Sequence, residues 1–550
     1  MPGKDASDSR DRSFLARAGT GQFLYPTGAT FAIFFILFIV EQDATGSPNR
    51  LFNLFQALSV SFFVVLLFRL LLRPGQERLQ AADHSRSIEG SLFLQGGMWI
   101  AVAAGAVSYL RTLSINFLCD DYGHLELVRH PFSAAVLPEF TKGQGGVFYR
   151  PLAFVSLFLD HRVWRHWVPG YHLTSVLIHL GSVAGVVYLC KQLELKSRIC
   201  FAAALFFAVM PVNVQTVTWM AARFDQLAGL FAIWSIACAA KFRRTGQARW
   251  YSTAIVLFVP AVLSKENAYV VAVLWAALEL LPRRKDLARP SAAKRAAIAA
   301  GYLAAPVIMM VLRISLLGGI GGYRTGDAPM ALHFPVASVF GLLVRAPGEM
   351  LFGWDWLAAG SQRWIVAAIL TAAIFLMLAL RMKTSSNSRR LIMFALIWIF
   401  IAAAPAHFYF WAPDPGLFVS RTLYFGAMGL AILIAVLLDE TFSQPRMYQA
   451  WAALIGLLLF AGTQSNISAW QSAAGEAQTW LAEFKREHPS PPAGVTYYIK
   501  GVPDQDRGVP FFAAGLESAV RSKYSWREDI HVVTDRSSTI PDDAIVIKYD

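Results

Sequence analysis

Phe117-Leu118-Cys119-Asp120-Asp121-Tyr122-Gly123-His124 follows an apolar run, 94–114, and opens a polar stretch that lasts to about residue 169. A run of about 20 apolar residues is what a helix needs to cross the hydrocarbon core of a bilayer. Two adjacent carboxylates at the mouth of such a run are costly beside lipid and mark a candidate working site. The same alternation of apolar run and polar loop extends in both directions. Runs at 22–41 and 52–72 precede the junction. Runs near 170–190, 198–211, 225–240, 251–263, 268–282, 296–313, 363–382, 391–406, 421–438 and 448–464 follow it. The chain therefore reads as an all-α polytopic membrane protein with about thirteen transmembrane helices.

Composition points the same way. Of 550 residues, 56% are hydrophobic and 15% charged, against roughly 25% charged in soluble chains. A disordered chain is excluded, since disorder needs low hydrophobicity and high charge. Four cysteines in 550 residues exclude a disulfide-stapled secreted scaffold. Lys and Arg number 49 against 36 Asp and Glu, a net charge of +13. That surplus does not imply nucleic acid, because it sits in alternate loops, such as Arg73, Arg78 and Arg86, then Lys191, Lys196 and Arg198, then Lys241, Arg243 and Arg244. Basic loops stay on the cytoplasmic side. The reading is a multi-pass protein of the cytoplasmic (inner) membrane, N-terminus inside and C-terminus outside.

Four regions follow. Residues 1–21 are a charged cytoplasmic segment, and 22–93 hold two extra spans and a loop. Residues 94–464 are the main transmembrane part, and 465–550 are an extracytoplasmic C-terminal module. In that module Val495–Ile499, Ile530–Val533 and Ala544–Ile547 read as strands and Phe511–Val520 as a short helix. Pro489-Ser490-Pro491-Pro492 reads as the linker.

Ionisable residues collect in the opposite, outer loops: Asp120, Asp121, His124, Arg150, Arg223, Asp225, Lys265, Glu266, Arg324 and Arg421. The Asp pair begins a series of short blocks. Tyr149-Arg150-Pro151-Leu152 and Gly170-Tyr171-His172-Leu173-Thr174 come next, then Met210 to Gln215 running on to Arg223-Phe224-Asp225. Leu263-Ser264-Lys265-Glu266-Asn267 and Arg421-Thr422-Leu423-Tyr424 complete them. In order and membrane side these blocks resemble the GT-C fold glycosyltransferases that use lipid-linked sugars. The subgroup is the bacterial relatives of the transmembrane and tetratricopeptide-repeat O-mannosyltransferases. Asn213 and Gln215 stand where that family usually has His and Glu, and the repeats are missing.

The resemblance implies a membrane-bound hexosyltransferase with a GT-C-like transmembrane domain. It would move a sugar from a polyprenyl-phosphate donor to a hydroxyl of a protein, lipid or glycan on the outer face. Such transfer needs a base, and a carboxylate within hydrogen-bond reach serves. Asp121 is the expected base, with Asp120 orienting a sugar hydroxyl or a helix start. The alternative for Asp120 is a helix N-cap. Arg223, Lys265, Arg324 and Arg421 are expected to hold the donor phosphate, guanidinium by two bonds and ammonium as a point charge. Snorkelling to lipid headgroups is the alternative for each. His124, Arg150, His172, Asp225, Glu266 and Tyr424 are expected to bind substrate. These residues point to no definite cofactor. A divalent metal completed by His124 and Glu126 stays open, while His172 and His179, seven apart on one stripe, fit interhelical hydrogen bonding better than a metal pair. A transporter or flippase of a lipid-linked or anionic solute, or a non-catalytic scaffold, are the competing functions.

Overall fold

A computed structural model describes residues 87–143, 147–281, 291–322, 324–325, 328–329, 350, 386–409, 417–535 and 543–549. The expected spans at 22–41, 52–72 and 363–382, and the segment 1–21, lie outside the described residues.

The chain is mostly helical. Its principal helices are α1 (Ser87–Ser108), α2 (Asp120–Val128), α3 (Pro151–Trp164), α4 (Val168–Gln192), α5 (Ser197–Ala208) and α6 (Arg223–Thr245). They continue with α7 (Ala248–Ser264), α8 (Ala292–Leu317), α9 (Ser386–Tyr409), α10 (Tyr424–Thr441), α11 (Pro445–Glu487) and α12 (Leu516–Ser522). Among the described residues five helices are long and apolar enough to cross a membrane, or six if α5 and Pro211–Thr218, bent by 47°, count as one span. This is a multi-pass membrane protein.

Three expectations change. The run near 198–211 does not continue straight, because Pro211 lacks an N–H and starts a new turn. The break is held by α11, where Thr463 donates to the Val209 carbonyl (2.8 Å) and Asn466 to that of Pro211 (3.2 Å). The run near 268–282 is not one helix but a 3₁₀ turn Glu266–Val270, a short helix Val271–Ala277 and a second 3₁₀ turn Leu278–Leu280. The expected boundary at 464 falls inside α11, which runs unbroken for 43 residues. At 1.5 Å per residue it is about 65 Å long, twice a hydrocarbon core of about 30 Å.

Beyond α11 the chain forms a parallel three-stranded sheet, order β6-β3-β7, from β3 (Thr496–Lys500), β6 (His531–Thr534) and β7 (Ile545–Lys548). Tyr497 lies opposite Val532 on one side and Ile545 on the other. Two small antiparallel pairs are β1 (Arg324–Thr325) with β2 (Ala328–Pro329), and β4 (Gln505–Asp506) with β5 (Val509–Pro510). The last turns of α11 belong to the sheet's core: Phe484 packs edge-on against Tyr497, ring centroids 5.1 Å apart. Transmembrane helix and sheet thus share one hydrophobic core.

Two buried polar joints hold the helices in register. His179 on α4 has Nε2 3.2 Å from the Ala208 carbonyl and Nδ1 2.9 Å from the Tyr424 hydroxyl. A carbonyl only accepts, so Nε2 carries the proton and Nδ1 accepts from Tyr424. The interhelical role expected for His179 is what the structure shows. At the other end of the bundle, Asp439 on α10 binds Lys196 (2.7 Å) and Arg198.

Candidate functional site

The site begins with a strained residue. Cys119 has φ +51°, a conformation that side chains with a Cβ rarely adopt. It turns the chain out of the preceding loop so that α2 starts at Asp120. The two acids then diverge. Asp121 points inward and is buried, its Oδ2 accepting from the Leu118 N–H (3.1 Å) and its Oδ1 from the Ala221 N–H (2.8 Å). Burial pushes its carboxyl up to about 8, against the pull of those two N–H groups. Asp120 instead lines a cavity of about 400 Å³. Among the described residues its carboxylate caps no backbone N–H of α2.

Most of the expected blocks meet at that cavity: Asp120, His124, Arg150, Asp225, Lys265 and Arg421 all line it. Arg150, just ahead of α3, pairs with Glu266: Nε lies 2.8 Å from Oε2, and Nη2 makes a second bond to Oε1. Its guanidinium lies 4.0 Å from the centroid of the Phe148 ring. Burial pushes the Glu266 carboxyl up, but the Arg150 guanidinium outweighs this and holds it at about 2. Lys265, the residue that ends α7, places Nζ 2.6 Å from both oxygens of Asp225 on the first turn of α6. Burial pushes the Lys265 ammonium down to about 8, although Asp225 pulls it up. Arg421 sits over the Trp219 ring (5.1 Å), with Nε 3.8 Å from Asp225. His124 stands edge-on to Phe154 (5.5 Å), and burial pushes its imidazole down.

Three expected residues are placed otherwise. Arg223 is fully buried and does not reach the cavity. It bonds Asp160 (2.8 Å), Ser156 and Ser175 (3.0 Å each) and the Tyr171 carbonyl (3.1 Å). Every one of those partners lies on α3 or α4, so Arg223 ties both to α6. His172 is buried in α4, away from the cavity lining. Tyr424 goes into the core against His179, three residues after Arg421, because a 3₁₀ turn over Leu417–Leu423 gives way there to α10. The backbone of Arg324 is in β1; its side chain lies outside the described residues.

Glu126 is not beside His124's cavity face but accepts from the Ser518 hydroxyl (2.5 Å) and from Arg521 (3.3 Å) on α12. Among the described residues no three His, Cys, Asp or Glu side chains come together to hold a metal ion.

Sequence reading missed three contributors. Gln215 accepts from the Arg421 N–H (2.7 Å) and the Ser420 hydroxyl (3.2 Å), so this amide sets the backbone carrying Arg421. Trp219 supplies the surface under Arg421 and donates to the Leu118 carbonyl (3.3 Å). Gly515, at the head of α12, lines the cavity from the far end of the chain. Its φ is +76°, and a Cβ there would meet the Cys119 carbonyl oxygen at 2.2 Å. Only glycine allows the sheet region to close on the Cys119–Asp120 peptide. No short signal in the sequence marks that contact.

No family model matches the chain. It is 29% identical over 152 residues to protein O-mannosyl-transferase TMTC2 of Mus musculus, a match covering 26% of this chain and 18% of that protein. It is 20% identical over 422 residues to a protein O-mannosyl-transferase of Caenorhabditis elegans, covering 72% of this chain and 58% of the relative. The chain thus spans less than two thirds of the length of either. Among solved structures it is similar to the oligosaccharyltransferase AglB of Archaeoglobus fulgidus, with a TM-score of 0.45 and 12% identity, over 79% of this chain and 64% of that one.

Proposed function

We propose that the chain is an integral-membrane glycosyltransferase of GT-C type that moves a sugar from a polyprenyl-phosphate donor to an acceptor hydroxyl on the extracytoplasmic face. The observation that carries this is one cavity lined by two carboxylates, Asp120 and Asp225, and three cations, Arg150, Lys265 and Arg421. Asp120, not Asp121, is the base in this reading, because Asp121 has both oxygens committed to backbone N–H groups. As the acceptor oxygen attacks the anomeric carbon, Asp120 takes its proton. The bond from that carbon to the phosphate oxygen breaks, and the oxygen keeps the electron pair. The phosphate gains charge as it leaves, and Lys265 and Arg421 meet that charge. Asp225 holds Lys265 in place, and Glu266 holds Arg150. Phe148, Phe154, Phe224 and Trp219 make the remaining wall apolar, which strengthens each charge interaction by excluding water. The relatives' name points to mannose and to a protein hydroxyl as acceptor. The membrane is the cytoplasmic membrane, with the cavity and the sheet outside.

The test is mass spectrometry of lipid-linked sugars and surface glycans in cells with and without the chain. Loss of the chain is expected to accumulate one polyprenyl-phosphate sugar and to remove one glycan, both restored by the wild type. Unchanged pools of both end the proposal.

Two measurements probe the parts. Lys265 loses its proton as pH rises through about 8, so transfer is expected to decline above that pH. Lys265→Arg should push the decline upward, since guanidinium stays charged. A profile that Lys265→Arg leaves in place assigns the decline to another group. Gly515→Ala is expected to lower kcat by roughly 10²-fold with donor KM nearly unchanged, since small displacements of a reacting group have effects of that size. An equal loss in a donor-binding measurement would instead assign Gly515 to the donor site.

A further inference from the structure

A second opening lies at the other end of α2 from Asp120, about 14 Å away for a nine-residue helix. It is a groove of about 590 Å³. Three guanidinium groups, Arg129, Arg162 and Arg165, and three imidazoles, His130, His161 and His166, line it, with Trp526 of the C-terminal region as one wall. No carboxylate lines it. One acid outside the lining, Glu528, pairs with Arg129 at its edge (2.9 Å). Arg162 gives one bond to the His130 carbonyl (3.2 Å), and His161 Nδ1 lies 3.2 Å from the Tyr171 hydroxyl. Arg165 and His166 are exposed and make no side-chain hydrogen bond or ion pair with a described residue. Arg165 is also held at φ +51°, an uncommon conformation for a residue with a Cβ.

The neighbours say what kind of anion fits. Leu159 and Val163 on α3 and Trp167 just after it are each more than half exposed. Leu159 and Val163 are one turn apart on one face. Large apolar side chains beside cations, with Trp at the border, are the pattern of a surface lying in the headgroup layer, where apolar groups meet acyl chains and cations meet phosphate. A water-borne anion would need the cations but not the apolar face.

We infer that this groove binds the phosphate of an anionic phospholipid, with the acyl chains against Leu159, Val163 and Trp167. The site is independent of the transferase reading and separate from the cavity at Asp120. Guanidinium groups suit a phosphate diester through paired bonds, and each basic residue near an anionic headgroup contributes several-fold to binding.

The full chain in neutral detergent is titrated with phosphatidylglycerol, phosphatidylcholine or glycerol phosphate and followed by native mass spectrometry. The tightest phosphatidylglycerol adduct is expected to weaken roughly 30-fold in Arg162→Gln/Arg165→Gln. It should survive in Arg389→Gln/Arg390→Gln, a pair at the start of α9 remote in sequence. Phosphatidylcholine and glycerol phosphate are expected to bind at least tenfold more weakly than phosphatidylglycerol. Because both arginines are exposed, an unchanged melting profile is expected for the double variant, and Arg165→Gln alone serves if the double variant melts early. The inference is overturned if the variants keep the adduct. It is equally overturned if glycerol phosphate binds as well as the lipid, or if a hexaglutamate peptide displaces the lipid at lower concentration than glycerol phosphate does.

Discussion

Asp120→Asn is expected to lower sugar transfer by about 10²–10⁴-fold, the usual contribution of a positioned general base. Insertion and thermal melting should be unchanged. The reason is geometric: Asp120 lines the cavity and caps nothing in α2. The amide keeps the shape of the carboxylate but cannot take a proton. Asp121→Asn is the matched control. Its side chain replaces an acceptor that serves two buried N–H groups, Leu118 and Ala221, so it is expected to lower the melting temperature first and activity only through the fold. Assays of both variants in the same membranes separate the roles. Full activity of Asp120→Asn would remove the base from the proposal. A dead but normally melting Asp121→Asn would return that role to Asp121.

The second large effect is on stability. Asp160→Ala leaves the Arg223 guanidinium buried without its carboxylate, and breaking one side of such a pair costs about 3–5 kcal/mol. Arg223 joins α3, α4 and α6 through four hydrogen bonds, so the bundle should loosen as a unit. The measurement is thermal unfolding of the purified chain in detergent. Replacing both partners together, Asp160→Leu with Arg223→Met, should recover a substantial part of the loss, since no charge is then stranded. If Arg223 held donor phosphate instead, Arg223→Gln would raise the donor KM and leave melting in place.

The case of Arg223 also shows where sequence reading stopped. Its type and outer-side position fitted a phosphate ligand, but its partner Asp160 lies 63 residues earlier. Nothing in spacing reveals a pair formed only when three helices meet. The long apolar runs were legible because hydropathy over twenty residues is a local property. So were Asp120, Arg150, Asp225, Lys265 and Arg421, each at the end of a run or in the loop beside it. Which of two adjacent acids faces the cavity was not legible, since that depends on the Cys119 backbone, which a neighbour from the sheet region holds in place. The break at Pro211 had a chemical marker; the 3₁₀ turns around Val271–Ala277 had none beyond an apolar run of ordinary appearance.

That same contact between Gly515 and Cys119 has a bearing on biogenesis. The wall of the pocket at position 515 leaves the ribosome long after Asp120 has been inserted, and before then the turn at Cys119 lacks that contact. A growing polypeptide consequently passes through the membrane machinery with its acid and cations already delivered but unassembled. Competence waits on residue 515, so products truncated before it would be inert rather than indiscriminate.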